Sequence, residues 1–188
     1  MSDSGWKTLK RERICLSPYV PVWQESVATP TRPDGVEWTV ARRPTAAVVA
    51  PRTPEGRYIL IRQERIPIRR AMWEFPAGQV EGEITEQSIR DTAFRELIEE
   101  TGLHCTGVLI PLDFFYSSAG FTDERGFLFL ATDVIPHEKG ASPDELEAIL
   151  EVRAFSAEEL KHMVATGEIF DANTLSVFAR LTARGLLV

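Results

Sequence analysis

The stretch Arg95-Glu96-Leu97-Ile98-Glu99-Glu100-Thr101-Gly102 places three carboxylates at the end of a helical pattern. Ile84 to Thr101 is the strongest helix signal in the chain. Thr85 or Ser88 can cap it, Ala93, Phe94, Leu97, Ile98 and Thr101 form its apolar side, and Gly102 stops it. At about 100° per residue, Glu96, Glu99 and Glu100 fall within an arc of roughly 100°. Like charges so placed repel by roughly a few tenths of a kcal/mol per exposed pair. A divalent cation turns that repulsion into chelation. Ligands that are all oxygen suit Mg²⁺ or Mn²⁺, and the absence of clustered His or Cys argues against zinc. Spacing alone fits a solvated acidic helix face equally well.

The flanking sequence supplies the rest of a fold. Ala46-Ala47-Val48-Val49-Ala50 and Tyr58-Ile59-Leu60-Ile61-Arg62-Gln63 read as buried strands joined through a Pro51…Gly56 turn. Trp73 to Glu83 reads as a glycine-punctuated loop entering the helix. Gly107–Ile110, Phe127–Ala131 and Val152–Phe155 read as further strands, and helices follow over about Ala157 to Ala165 and Ala172 to Ala183. Strands on both sides of a central helix predict a mixed α/β sandwich. Before residue 45 the chain is extended: Arg13–Ser17, Trp23–Val27 and Val36–Val40 are strand candidates, with turn chemistry over Thr29–Gly35. This is a small antiparallel meander, too thin to stand alone.

Trp73-Glu74-Phe75-Pro76-Ala77-Gly78-Gln79-Val80-Glu81-Gly82-Glu83, taken with Arg95 to Gly102, resembles the signature of the Nudix hydrolases, G-x5-E-x7-R-E-U-x-E-E-x-G-U with U aliphatic. The second half matches at every fixed position, from Arg95 through Leu103. In the first half Glu83 comes one residue early, Gln87 occupies the strict place of the first glutamate, and Gly78 to Arg95 is three residues longer than the family spacing. A longer loop or an extra helical turn is expected there. Arg62–Pro67 followed by Trp73–Gly78, the run Tyr116–Asp133 and the run Gly167–Thr174 are similar to the ADP-ribose pyrophosphatase branch, with Asn173 where lysine is commoner.

The resemblance implies a Nudix α/β/α sandwich with a mixed central sheet over residues 45–188, preceded by an antiparallel β meander over residues 1–44 used for homodimerisation and the substrate pocket. It implies Mg²⁺-dependent hydrolysis of the pyrophosphate bond of ADP-ribose or a related nucleoside diphosphate sugar. Glu96 and Glu100 are then metal ligands, Glu99 assists them, and the Ala77 carbonyl supplies another oxygen. Arg95 pairs with a carboxylate of the signature. The catalytic base is expected in Ser142–Ala148. The family's usual place, four residues before the strand valine, is Ala148, so a shift of one nominates Glu147, with Glu145 second. Trp23 and Trp38 are candidates to stack a base, and Arg42 and Arg65 match positions that grip phosphate or base in this branch. A tryptophan at the edge of a meander serves equally well as dimer core.

Composition bounds the alternatives. With 188 residues and 44% hydrophobic content the chain can bury a substantial core. A net charge of −7 leaves no broad basic surface for nucleic acid, and no apolar run reaches membrane-spanning length. Cys15 and Cys105 form neither a metal spacing nor a disulfide framework, and the opening residues lack the apolar stretch of a secretory leader, so a cytoplasmic setting is expected. His104, His137 and His162 read as structural or exposed. No G-x-x-x-x-G-K-[ST] loop or G-x-S-x-G elbow occurs. The competing readings are a Nudix hydrolase of a dinucleotide or GDP-sugar, and a Nudix-fold sensor that binds ADP-ribose without hydrolysing it.

Overall fold

In the computed structural model, residues 5–15, 20–143 and 147–188 are described. They cluster into two units, Met1–Pro44 with Tyr116–Arg125, and Thr45–Phe115 with Gly126–Val188.

The first unit is an antiparallel sheet in the order β1 (Lys7–Cys15), β2 (Val22–Thr29), β3 (Arg32–Ala41). β1 is exposed along its whole length. The β2–β3 turn is tighter than the run of turn residues predicts. Thr29 pairs with Arg32, and the Thr29 hydroxyl accepts the Arg32 amide at 3.1 Å. Pro33-Asp34-Gly35 is absorbed into β3 as an irregularity where the register jumps. The far end of β3 joins the segment 116–125: the Ala41 amide donates to the Phe121 carbonyl at 2.8 Å.

The second unit runs β4 (Ala46–Pro51), β5 (Tyr58–Arg65), β6 (Arg70–Glu74), β7 (Ala77–Gln79), α1 (Glu86–Thr101), β8 (Leu103–Cys105), β9 (Leu109–Tyr116), β10 (Arg125–Ala131), β11 (Val134–Pro136), β12 (Ile149–Phe155), α2 (Ala157–Ala165) and α3 (Ala172–Ala183). Its main sheet has the order β7-β4-β10-β9, with β4 parallel to β10 and antiparallel to β7. A second sheet, β12-β5-β6, is antiparallel throughout, and β11 pairs with β8. The predicted loop over Trp73–Glu83 therefore contains the end of β6 and all of β7. Proline and glycine there interrupt the strands without abolishing them.

Side-chain alternation on β4 builds the layers. Ala47 and Val49 pack with Ile89, Ala93 and Leu97 of α1, while Val48 and Ala50 pack with Val177 and Leu181 of α3 and Leu160 of α2. Helices thus cover both faces of a mixed sheet, the predicted α/β/α arrangement. α1 starts with a capping box in which Thr85 and Ser88 exchange hydrogen bonds, worth about 1 kcal/mol. It stops at Gly102, whose φ of 69° is left-handed and whose missing Cβ leaves room for the backbone of Ala141. Its buried side is Ile89, Thr92, Ala93, Glu96, Leu97, Glu100 and Thr101. Phe94, expected on that side, is exposed, and two glutamates are buried in its stead. No helix among the described residues is long and apolar enough to cross a membrane.

Candidate metal and catalytic site

The C-terminal half of α1 lies against β7, and the closeness of the approach depends on a glycine. A Cβ on Gly78 would fall on the Glu96 carboxylate, so only glycine allows that side chain to lie along the strand. One residue earlier, the Ala77 amide donates to Glu100 Oε2 at 2.9 Å. The loop before β12 brings in a third carboxylate. Ligand oxygens of Glu96, Glu100 and Glu147 all lie within 4.8 Å of one another. Glu145 lies outside the described residues.

Glu96 and Glu100 are 4% and 1% exposed. Burial, followed by the charge of Glu147 and then of Glu96, pushes the Glu100 carboxyl up to about 9, against the Ala77 hydrogen bond and the charge of Arg65. Burial likewise raises Glu96 to about 7, opposed by Arg95 and reinforced by Glu147 and Glu99. Three crowded carboxylates with too little positive charge form a strong donor set for a hard divalent cation. The oxygen-only ligands fit Mg²⁺ or Mn²⁺, and no histidine or cysteine joins them.

Glu99, expected beside Glu96 and Glu100, is not part of this trio. Arg95 clamps it, with Nη1 at 2.6 Å from Glu99 Oε2 and Nη2 at 2.6 Å from Glu96 Oε1. Arg95 also reaches the Gln79 carbonyl at 3.4 Å. Arg65 does not present an open guanidinium. It grips Glu74 with two parallel hydrogen bonds, Nε to Oε1 at 2.9 Å and Nη2 to Oε2 at 2.5 Å. Burial raises the Glu74 carboxyl, and Arg65 opposes that rise. Nothing local in the sequence reveals this pair, which only the β5–β6 hairpin brings together. Glu81 and Glu83, near the place of the first signature glutamate, are exposed, while Glu83 lends its carbonyl to the Ser88 hydroxyl at 2.7 Å.

The remaining candidates lie in the first unit. Arg42 bridges Glu25 and Asp123, at 2.6 Å to each. Trp38 is exposed and its indole donates to the Gly120 carbonyl at 2.7 Å. It lines a cavity of about 470 Å³ with Trp6, Val27, Val36 and Val40. Trp23 lies under the guanidinium of Arg11, 5.5 Å from its centroid. His104 and His137, scattered in sequence, meet edge to face at 5.4 Å. Cys105 is half-buried, and its thiol donates to the Thr132 carbonyl.

Comparison with known proteins extends the match beyond the signature. The NUDIX domain matches residues 41–178. An ADP-ribose pyrophosphatase of Bacillus subtilis (strain 168) is 34% identical over 169 residues, covering 89% of this chain and 88% of the relative. A methanol dehydrogenase activator of Bacillus methanolicus is 30% identical over 169 residues, covering 90% and 88%. Among solved structures, an ADP compounds hydrolase superposes with a TM-score of 0.76 over 96% of both chains at 19% identity, a likeness of fold.

Proposed function

The chain belongs to the NUDIX family, and from that premise we propose that it hydrolyses the pyrophosphate bond of ADP-ribose or a related nucleoside diphosphate sugar. The products are a nucleoside monophosphate and a sugar phosphate, and the reaction requires Mg²⁺, with Mn²⁺ as a substitute. The observation that carries this reading is the convergence of Glu96, Glu100 and Glu147 within 4.8 Å. A retired site has no need for such charge crowding, which disfavours a sensor without catalysis. The likeness to a B. subtilis ADP-ribose pyrophosphatase supports ADP-ribose as the substrate to test first.

Glu96 and Glu100, with the Ala77 carbonyl, would hold the metal, with Glu99 supporting them through Arg95. A divalent cation there supplies charge neutralisation for the diphosphate and an acidified water. Glu147 accepts the proton of the attacking water, with Glu145 the alternative in the same loop. Arg95 keeps two carboxylates oriented. Arg65, paired with Glu74, and Arg42, paired with Glu25 and Asp123, contact the substrate only through the donors those pairs leave over, and Trp23 and Trp38 offer aromatic faces to the base. The N-terminal residues 1–44 form a dimerisation and pocket-building subdomain, and residues 45–188 the hydrolase domain. The protein works as a homodimer in the cytoplasm on small molecules.

The deciding experiment is a hydrolysis panel of ADP-ribose, ADP-glucose, GDP-mannose, NADH and a diadenosine polyphosphate, with products identified and Mg²⁺ varied. ADP-ribose cleaved fastest, to AMP and ribose 5-phosphate, is the expected result. No Mg²⁺-dependent turnover of any member overturns the enzyme reading. Light scattering should give a dimer mass, and a monomer overturns the assembly.

A further inference from the structure

The β12-β5-β6 sheet has two faces with opposite charge chemistry. Residues directly opposite in antiparallel strands share a face. Ile61 pairs with Glu74, which puts Glu74 on one side of the sheet. Arg62 pairs with both Trp73 and Glu151, which puts those three on the other. On this second side a cavity of about 410 Å³ is lined by Arg62, Arg70, Trp73, Arg153, Phe170 and the acidic residues Glu151 and Glu168. Its volume lies within the usual range for a small-molecule site, roughly 300 to 1,000 Å³.

Two of the three arginines are held in place by rings. The Arg153 guanidinium lies 4.7 Å from the Trp73 centroid and 4.4 Å from that of Phe155. Arg70 lies 4.9 Å from Phe170. Aromatic faces fix a guanidinium without neutralising it. Carboxylates neutralise little here. Arg153 meets Glu151 only at 3.8 Å, and neither Arg62 nor Arg70 forms an ion pair among the described residues. Three arginines against two glutamates leave a net positive cavity on a chain whose net charge is −7.

We propose that this cavity binds a small phosphate monoester. Planar guanidinium groups match the oxygens and double charge of a phosphate, and the remaining volume, edged by Trp73 and Phe170, accommodates the group esterified to it. The site is independent of the hydrolase reading, because none of its residues belongs to the carboxylate cluster.

The test is titration of the whole protein with ribose 5-phosphate and with inorganic phosphate, in EDTA, with ionic strength held by NaCl. EDTA removes metal-bridged binding at the three-carboxylate cluster, and the Trp73 resonance together with the Arg62 and Arg70 variants assigns the remaining binding to the arginine cavity. The Trp73 indole resonance should shift saturably with ribose 5-phosphate, and more weakly with phosphate. Arg62→Gln and Arg70→Gln should each weaken binding about tenfold, as expected for loss of one charged hydrogen-bond donor. The melting temperature of Arg62→Gln should not change, since Arg62 holds no ion pair. A Trp73 resonance that does not move, binding of inorganic phosphate alone, or unchanged affinity in Arg62→Gln overturns the proposal.

Discussion

Glu25 and Glu100 are buried almost equally, at 3% and 1% exposed, but their surroundings answer the charge in opposite ways. Glu25 receives two guanidinium groups, Arg11 at 2.9 Å and Arg42 at 2.6 Å. Glu100 receives one backbone amide and faces two more carboxylates. The first is a finished ion cluster that ties β1, β2 and the end of β3 together. The second belongs to a cluster of three carboxylates, where Arg95 meets Glu96 with an ion pair and burial pushes the Glu96 and Glu100 carboxyls up. Balanced burial makes Glu25 structural, and unbalanced burial is what supports the role proposed for Glu100.

Removing each charge in turn is the strongest way to break this contrast. Glu100→Gln should abolish most turnover while leaving the metal-free protein as stable as wild type or slightly more so. Glu25→Gln should do the reverse and lower stability by about 1 to 3 kcal/mol, because Arg11 and Arg42 both lose the Glu25 charge and Arg42 is left with Asp123. Activity and thermal melts of both variants in EDTA give the comparison. Near-wild-type activity in Glu100→Gln at ordinary Mg²⁺ sinks the metal assignment.

The contrast within the cluster is sharpened next. If Glu147 is the base and not a metal ligand, Glu147→Gln should lower kcat by about a hundredfold with little change in KM or metal affinity. Glu145→Gln should be mild. Two mild phenotypes would move the base out of this loop. A smaller effect is expected from Gly78→Ala, whose methyl group displaces the Glu96 carboxylate. Metal affinity should fall by about tenfold, with a melting temperature close to wild type. Unchanged Mg²⁺ titration in that variant argues that Glu96 does not hold metal.

The smallest effect is the dependence of stability on pH. Glu96 and Glu100 titrate near 7 and near 9 in the folded chain, both above the 4.5 of an ordinary glutamate. Between about pH 5 and pH 9 the folded state therefore holds more protons than the unfolded one, and metal-free stability must fall as pH rises. Saturating Mg²⁺ should flatten that slope, and Glu100→Gln should reduce it. Melts in EDTA across the range check the sign.

Much of this was legible in the sequence because it is written locally. Thr85, Ser88 and Gly102 mark the ends of α1 within a residue or two, and the spacing of Glu96 and Glu100 puts them on one side. Phe94 misled because the helix buries the two glutamates where an apolar stripe was expected. The Arg65–Glu74 pair was illegible, since it depends on how β5 pairs with β6. β7 was hidden for a related reason. Pro76 and Gly78 look like loop residues, while the ladder of Ala77 to Val48 and Gly78 to Ala47 forms a strand directly after Pro76, whose carbonyl accepts the Val49 amide. The uncertainty between Glu145 and Glu147 has its own physical source. The β12 register shifts between Ile149 and Glu151, an irregularity that counting back from Val152 does not see.

Arg95 has one more consequence. By spanning Glu96 and Glu99 it acts as a resident counter-ion tethered to the helix itself. Its effective concentration does not change with the supply of divalent ions, so the helix can complete its fold in their absence. If a cation binds here as proposed, it would have to share Glu96 with the guanidinium, so loading would be a substitution on a helix already built, with occupancy following the ion concentration.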